Sequence, residues 1–180
     1  MRVIAGAAKG TRLAGVPAGT RPLSDRAREG LFSSLGGRVV DAAVLDLFAG
    51  TGALGIEALS RGAAEAEFVE RSRQACTVIR ENLRRTGLAG GASVVASEVQ
   101  RFLGRTPRAF DVVLLDPPYA TPGAQLWQAL DLLKEGWLAP GATICLTRPR
   151  RDYTDVIPVN WQVARRLEYG DTLVILYREV

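Results

Sequence analysis

Histidine is absent from this 180-residue sequence. That excludes imidazole as the base behind a serine or cysteine nucleophile, and as a zinc ligand. Cysteine occurs only at Cys76 and Cys145, a pair without metal-ligand spacing, so two buried thiols are expected and no metal. No apolar run approaches the ~20 residues that cross a bilayer. The stretch Met1–Gly6 has too short an apolar region for a secretory signal, which needs about 7–15 residues. A cytoplasmic protein with no membrane partner, monomeric by default, is the expectation. Its chemistry must rest on carboxylates, backbone groups, aromatic rings and a cofactor.

Hydrophobic residues make up 47% and charged residues 23%, as in an ordinary globular domain. The net charge is +4 and is unevenly spread. Residues 1–36 hold six basic residues (Arg2, Lys9, Arg12, Arg21, Arg26, Arg28) against Asp25 and Glu29; the remainder balances. A basic segment beside a neutral core points to a polyanion such as RNA or DNA, with a solvated arm as the plainer alternative.

Along the chain, Arg2–Ala5 and Thr11–Ala14 read as two short strands around a glycine-bounded turn, and Gly15–Pro22 as a loop. Ser24 suits the N-cap of a helix through Leu35, with Ala27, Leu31 and Leu35 on one face. Strands and helices then alternate. Strands are expected at Ala43–Phe48, Glu67–Glu70, Ser93–Ala96, Phe110–Leu115, Ala142–Thr147, Trp161–Leu167 and Thr172–Tyr177. Helices are expected at Ala53–Arg61, from Ser72 to Gly87, at Val99–Leu103 and at Ala124–Leu133. This alternation, ending in a hairpin, implies an α/β fold: a mostly parallel sheet of seven strands with helices on both faces. Ligands of such sheets sit at the carboxyl ends of the strands.

One motif opens the first βα turn: Asp46-Leu47-Phe48-Ala49-Gly50-Thr51-Gly52-Ala53-Leu54-Gly55. Gly50 and Gly52 permit a tight turn and close approach of a ligand. Glu70 ends the next strand, where a carboxylate can accept both hydroxyls of a ribose. Dinucleotide enzymes share these features, and the glycines alone could be turn residues. Asp46, however, would repel a diphosphate and suits a cofactor carrying an ammonium and a sulfonium, which favours S-adenosylmethionine. Ser97 and Glu98 end the third strand, where they could meet an adenine; a helix-start charge is an equal reading of Glu98.

A second motif, Asp116-Pro117-Pro118-Tyr119, follows an apolar strand directly. Such residues can be a plain turn. Their chemistry suggests more. An exocyclic amine on a base is a weak nucleophile because its lone pair is delocalised into the ring. The Asp116 carboxylate and the Pro117 carbonyl, held outward by two prolines, can accept its two hydrogens and free the lone pair. Tyr119 can stack on the base.

These two motifs resemble those of the Rossmann-like, class I amino-methyltransferases. Arg2-Val3-Ile4-Ala5-Gly6, Arg21-Pro22, Asp25-Arg26-Ala27-Arg28-Glu29 and Leu31-Phe32 narrow the resemblance to the RsmD family, over nearly the whole chain. The resemblance implies a Rossmann-like sheet with an N-terminal β-hairpin extension, and methyl transfer from S-adenosylmethionine to N2 of a guanine in small-subunit (16S) ribosomal RNA. Residues 1–36 would be the RNA-facing extension and 37–180 the methyltransferase domain. Catalysis would fall to Asp116, Pro117, Pro118 and Tyr119. Cofactor binding would fall to Asp46, Phe48, Gly50, Gly52, Glu70, Arg71, Ser97 and Glu98. RNA binding would fall to Arg2, Lys9, Arg12, Arg21, Arg26 and Arg28. Where many members are aromatic and arginine-rich after Gly6, this chain has Ala7-Ala8-Lys9, and many have Asp in place of Glu98. Competing readings are an adenine-N6 or cytosine-N4 methyltransferase acting on DNA, an RNA-binding assembly factor without turnover, and a nicotinamide-dependent oxidoreductase.

Overall fold

The apolar runs pair into a single seven-stranded sheet. The computed structural model describes residues 1–15, 23–151, 158 and 160–179. In chain order the elements are α1 (Asp25–Leu35), β1 (Ala43–Leu47), α2 (Ala53–Ser60), β2 (Glu65–Glu70), α3 (Arg73–Thr86), β3 (Ala92–Ala96), α4 (Val99–Leu103), β4 (Phe110–Leu115), α5 (Gly123–Leu133), β5 (Leu138–Pro149), β6 (Trp161–Tyr169) and β7 (Thr172–Glu179). The strand order is β3-β2-β1-β4-β5-β7-β6. Strands β1 to β5 run parallel, and β7 is antiparallel to both its neighbours, β5 and β6. This is the Rossmann-like, mostly parallel sheet expected from the sequence.

Alternation along the strands builds one core on each face. Val44, Val112 and Leu114 pack with Leu31 of α1, Ile56 of α2 and Ile79 of α3. Leu45, Leu47, Val113 and Leu115 point the other way, toward Phe102 of α4 and Leu126 and Leu130 of α5. Both faces being covered explains why the central strands read as unbroken apolar runs. Each such fully buried aliphatic side chain is worth about 1.5–3 kcal/mol. Cys76 and Cys145 are buried free thiols, as expected, and burial pushes the Cys145 thiol up to about 12. No helix among the described residues is long and apolar enough to cross a membrane. No group of three or more Cys, Asp or Glu side chains among them could hold a metal ion.

The N-terminal hairpin is present in its narrowest form, a single antiparallel bridge between Arg2 and Arg12. Val3 donates to Thr11 O at 3.0 Å and Gly10 to Val3 O at 2.9 Å. The pairing goes no further because α2 takes the backbone donors that follow. Ile4 and Ala5 N–H donate to the Glu57 carboxylate at 2.8 and 3.0 Å, and Ala8 N–H to Ser60 Oγ at 3.0 Å. Val3 and Leu13 join the same core cluster as α1, α2 and α3. The segment is therefore strapped to the domain rather than projecting from it.

Candidate active site

The sheet's switch point lies between β1 and β4: the chain runs from β1 out to β3 on one side, then returns to β4 and β5 on the other. Ligand sites of doubly wound sheets form at the carboxyl ends of strands at such a point. Here those ends carry Asp46 on β1, Glu70 on β2 and Asp116 immediately after β4.

Asp46 lies beneath the loop that follows β1. It is 1% exposed, and its Oδ2 accepts the N–H of Gly55 at 2.9 Å, which anchors the first turn of α2. Burial raises its pKa to about 8, and the charges of Asp116 and Glu70 push it the same way. None of the three carboxylates has a cationic partner among the described residues. Glu70 binds the loop from the other side. Its Oε2 accepts from Gly50 N–H at 3.0 Å and its Oε1 from Ser72 N–H at 2.8 Å. One carboxylate thus fixes the tip of the glycine loop to the start of α3.

Phe48 and Gly50 hold φ angles of 60° and 56°. A phenylalanine in the left-handed region is strained, a cost of roughly 1–3 kcal/mol that concentrates at functional loops. Gly50 faces open space: an added Cβ would meet only Phe48 O, at 3.9 Å. Gly52 is different, since its Cβ would press on Ile79 of α3 at 3.1 Å. Gly50 is the glycine that gives access, and Gly52 the one that closes the turn. Ser97 is buried, with its backbone N–H on Glu70 O and its hydroxyl on Glu98 O, both at 3.0 Å. Arg71 and Glu98 are exposed on the loops after β2 and β3, and Glu98 makes no side-chain capping bond.

Asp116 lies at the mouth of β4. Burial raises its pKa, and the hydroxyl of Thr147, which donates to its Oδ1, pulls it back down. Pro117 is buried; Pro118 and Tyr119 are exposed. The Tyr119 hydroxyl sits 3.3 Å from Thr172 Oγ1, which ties the motif to the start of β7. Beside it opens a cavity of about 500 Å³, walled by Tyr119, the first turn of α1 and the turn between β6 and β7.

The basic residues divide. Arg2, Lys9, Arg12 and Arg26 are at least partly exposed, and Arg26 lines the cavity next to Tyr119. Arg21 lies outside the described residues. Arg28 departs from the expectation of a surface contact: it is fully buried, with Nη2 donating to Arg2 O and to Asp25 Oδ1 at 2.7 Å each. The guanidinium fixes the N-terminal strap to α1 and, fully buried, presents no surface to RNA.

Sequence reasoning missed Thr147, which orients the motif carboxylate, and Asn82, which is fully buried on α3. Asn82 accepts from Ala14 N–H and donates to Ala14 O and Thr51 O, so it joins the strap to the glycine loop. Thr147 closes the apolar run of β5 near the ligand edge of the sheet, a signal that could have found it. Asn82 interrupts an apolar helix face, a weaker one.

A glycine loop and an acceptor carboxylate on neighbouring strands of such a sheet define a Rossmann-like nucleotide-binding site, a class that includes methyltransferases. The chain belongs to the family described as "Conserved hypothetical protein 95", whose profile matches residues 1–178; this is the RsmD family that the sequence resembles. It is similar to "Ribosomal RNA small subunit methyltransferase D" of Escherichia coli, with 39% identity over 99% of this chain and 89% of that protein. The Haemophilus influenzae protein of the same name is 33% identical over 99% and 93%. The solved structure of Escherichia coli YhhF superposes with a TM-score of 0.89 at 38% identity, covering 99% of this chain and 97% of that one.

Proposed function

We propose that this protein transfers a methyl group from S-adenosylmethionine to the exocyclic N2 amine of a guanine in small-subunit ribosomal RNA. The observation that carries the reading is the placement of Asp116, oriented by Thr147, one strand from the open face of Gly50. The RNA substrate follows the similarity to small-subunit ribosomal RNA methyltransferases, and the basic strap is consistent with it.

The residues present fit the cofactor. Three carboxylates without a cationic partner among the described residues suit a ligand carrying positive charge, and Gly50 leaves room for it to approach the backbone. Glu70, already oriented by two backbone N–H groups, keeps lone pairs for ribose hydroxyls. Arg71, Ser97 and Glu98 would border the nucleoside. When bound, S-adenosylmethionine supplies an electrophilic methyl carbon.

The chain's own residues activate and hold the acceptor. The Asp116 carboxylate accepts one N–H of the amine and the Pro117 carbonyl the other, which pyramidalises the nitrogen and localises its lone pair. Burial makes Asp116 a better acceptor than a surface carboxylate. Tyr119, anchored through Thr172, supplies a ring face for the base. The target guanine must be unpaired or flipped out, since a duplex hides its amine.

The test is transfer of labelled methyl groups to unmethylated small-subunit RNA and particles, followed by nucleoside mass spectrometry. N2-methylguanosine supports the reading. N6-methyladenine or N4-methylcytosine in DNA would replace it with a DNA enzyme, and no transfer to any nucleic acid would leave a binding factor.

A further inference from the structure

The carboxyl edge of the sheet is divided by charge, and the reaction as described uses only half of it. On one side of Asp116 the ends of β1, β2 and β3 lead to Asp46, Glu70 and Glu98, with Arg71 and Arg73 exposed beyond Glu70. On the other side β5 runs out into Arg148-Pro149-Arg150-Arg151, and the first turn of α1 brings Arg26 to the cavity there. Glu168 and Asp171 are the acids that line that cavity. An RNA strand whose base meets Asp116 carries phosphates on both sides of that base, and it has to leave the site over one rim. The cofactor side presents mainly carboxylates, which repel phosphate, whereas the β5 side offers arginines.

The arginines at the end of β5 differ in what holds them. Arg148 is buried: its Nη2 donates to Thr121 O at 3.5 Å, its Nη1 has no hydrogen-bond partner, and no acid pairs with it among the described residues. A buried charge without a counter-ion keeps its field, because little water or salt screens it. Arg150 is fixed through its backbone, whose N–H donates to Asp171 O at 2.8 Å. Its guanidinium meets Glu168 at 3.1 Å, with both side chains more than half exposed. An ion pair so exposed is weak, and a phosphate can displace the acid. Arg151 is exposed and has no side-chain hydrogen bond or ion pair among the described residues. Arg150 lies three residues past Thr147, about 10 Å of extended chain. Its reach is therefore to the strand beside the target nucleotide, not to the target base.

We propose that the end of β5 is an RNA-binding surface, with Arg150 and Arg151 on phosphates that flank the acceptor nucleotide and Arg148 adding charge from beneath. The inference rests on the reading of the substrate as RNA, and it assigns the rim over which the strand leaves the site. Glu168 is the competitor for that strand, since a phosphate takes its place on Arg150.

Salt titration of binding to unmethylated small-subunit ribosomal RNA is the test. Arg150→Gln combined with Arg151→Gln is expected to lower the log–log slope by about 1.4, from ~0.7 for each phosphate contact on a single strand, and to raise KM with kcat unchanged. Glu168→Gln releases Arg150 and is expected to move binding the other way, toward higher affinity. Arg84→Gln combined with Arg85→Gln is the control. Those two arginines are exposed in the last turn of α3, at the opposite edge of the sheet, and pair with Glu81, so the slope should keep its wild-type value. Cofactor affinity by calorimetry should match wild type in all three. An unchanged slope in the Arg150 and Arg151 variant, or an equal fall in the control, overturns this surface and leaves RNA methylation standing. Weaker binding by Glu168→Gln overturns the contact at Arg150. A wild-type protein that does not bind the RNA overturns this surface and the RNA reading together.

Discussion

Asp46, buried, and Asp116, partly buried, are acids at adjoining strand ends, and their protonation should decide how the site behaves with pH. Asp46 is raised from 3.8 to about 8. A group whose folded pKa is raised binds a proton in the folded chain that the unfolded chain has lost, so the ligand-free protein should lose stability as pH rises from about 4 to 8. A cationic ligand reverses the balance by favouring the carboxylate. Cofactor affinity should therefore increase from pH 6 to 8 with release of a proton, measurable by calorimetry in buffers of different ionisation enthalpy. Affinity independent of pH, without proton release, would remove Asp46 from the cofactor's electrostatics. Asp116→Ala should abolish transfer and leave cofactor binding nearly intact. Thr147→Val should lower kcat about tenfold, the scale of one hydrogen bond to a charged group, and move the pH–rate profile upward. Thr147→Ser should restore both. A pure loss of stability in Thr147→Val, with an unshifted profile, would make Thr147 only structural. The acids themselves were legible in the sequence because each ends an apolar strand. Thr147 closes an apolar run too, but its role was not legible, because the carboxylate it meets lies 31 residues earlier.

At the scale of elements, the strap and the glycine loop are joined through α2 and α3. Glu57 and Ser60 hold residues 4 to 8, and Asn82 holds Ala14 and Thr51 together. Asn82→Ala should cost about 1–3 kcal/mol in urea unfolding, because it strands partly buried backbone groups of Ala14 and Thr51, and it should weaken cofactor binding through the loop. The basic residues separate by the same logic. Neutralising Arg2, Lys9, Arg12 and Arg26 should flatten the salt dependence of RNA binding, by about 0.7–0.9 in log–log slope for each phosphate no longer neutralised. Arg28→Ala should instead lower stability; a reduced salt slope with unchanged stability would put it back among the RNA-binding residues. Most elements could be read from the sequence because the central strands are covered on both faces. Strand β5 is longer than its apolar run suggests. Pro140 and Gly141 look like a turn, yet they lie inside Leu138–Pro149. The hairpin is narrower than the sequence suggests because its donors are taken by a carboxylate 52 and 53 residues away, an interaction no local pattern reveals.

At the scale of the molecule, strand order does the assembling. Placing β1 between β2 and β4 brings Glu70, Asp46 and Asp116 to one edge, although they are spread over much of the chain. Placing β7 beside β5 brings Thr172 and the β6–β7 turn to Tyr119, and α1 closes the cavity at the same edge. The parallel order could be anticipated from the alternation of strands and helices, but the cavity could not, since it is formed by a turn, a helix start and a motif tyrosine from three parts of the sequence. The central claim is that this edge methylates a guanine amine through Asp116. Labelled methyl transfer from S-adenosylmethionine to unmethylated small ribosomal subunits tests it most directly. The account predicts N2-methylguanosine at one position, absent with Asp116→Ala; a different methylated nucleoside, or full activity in that variant, would contradict it.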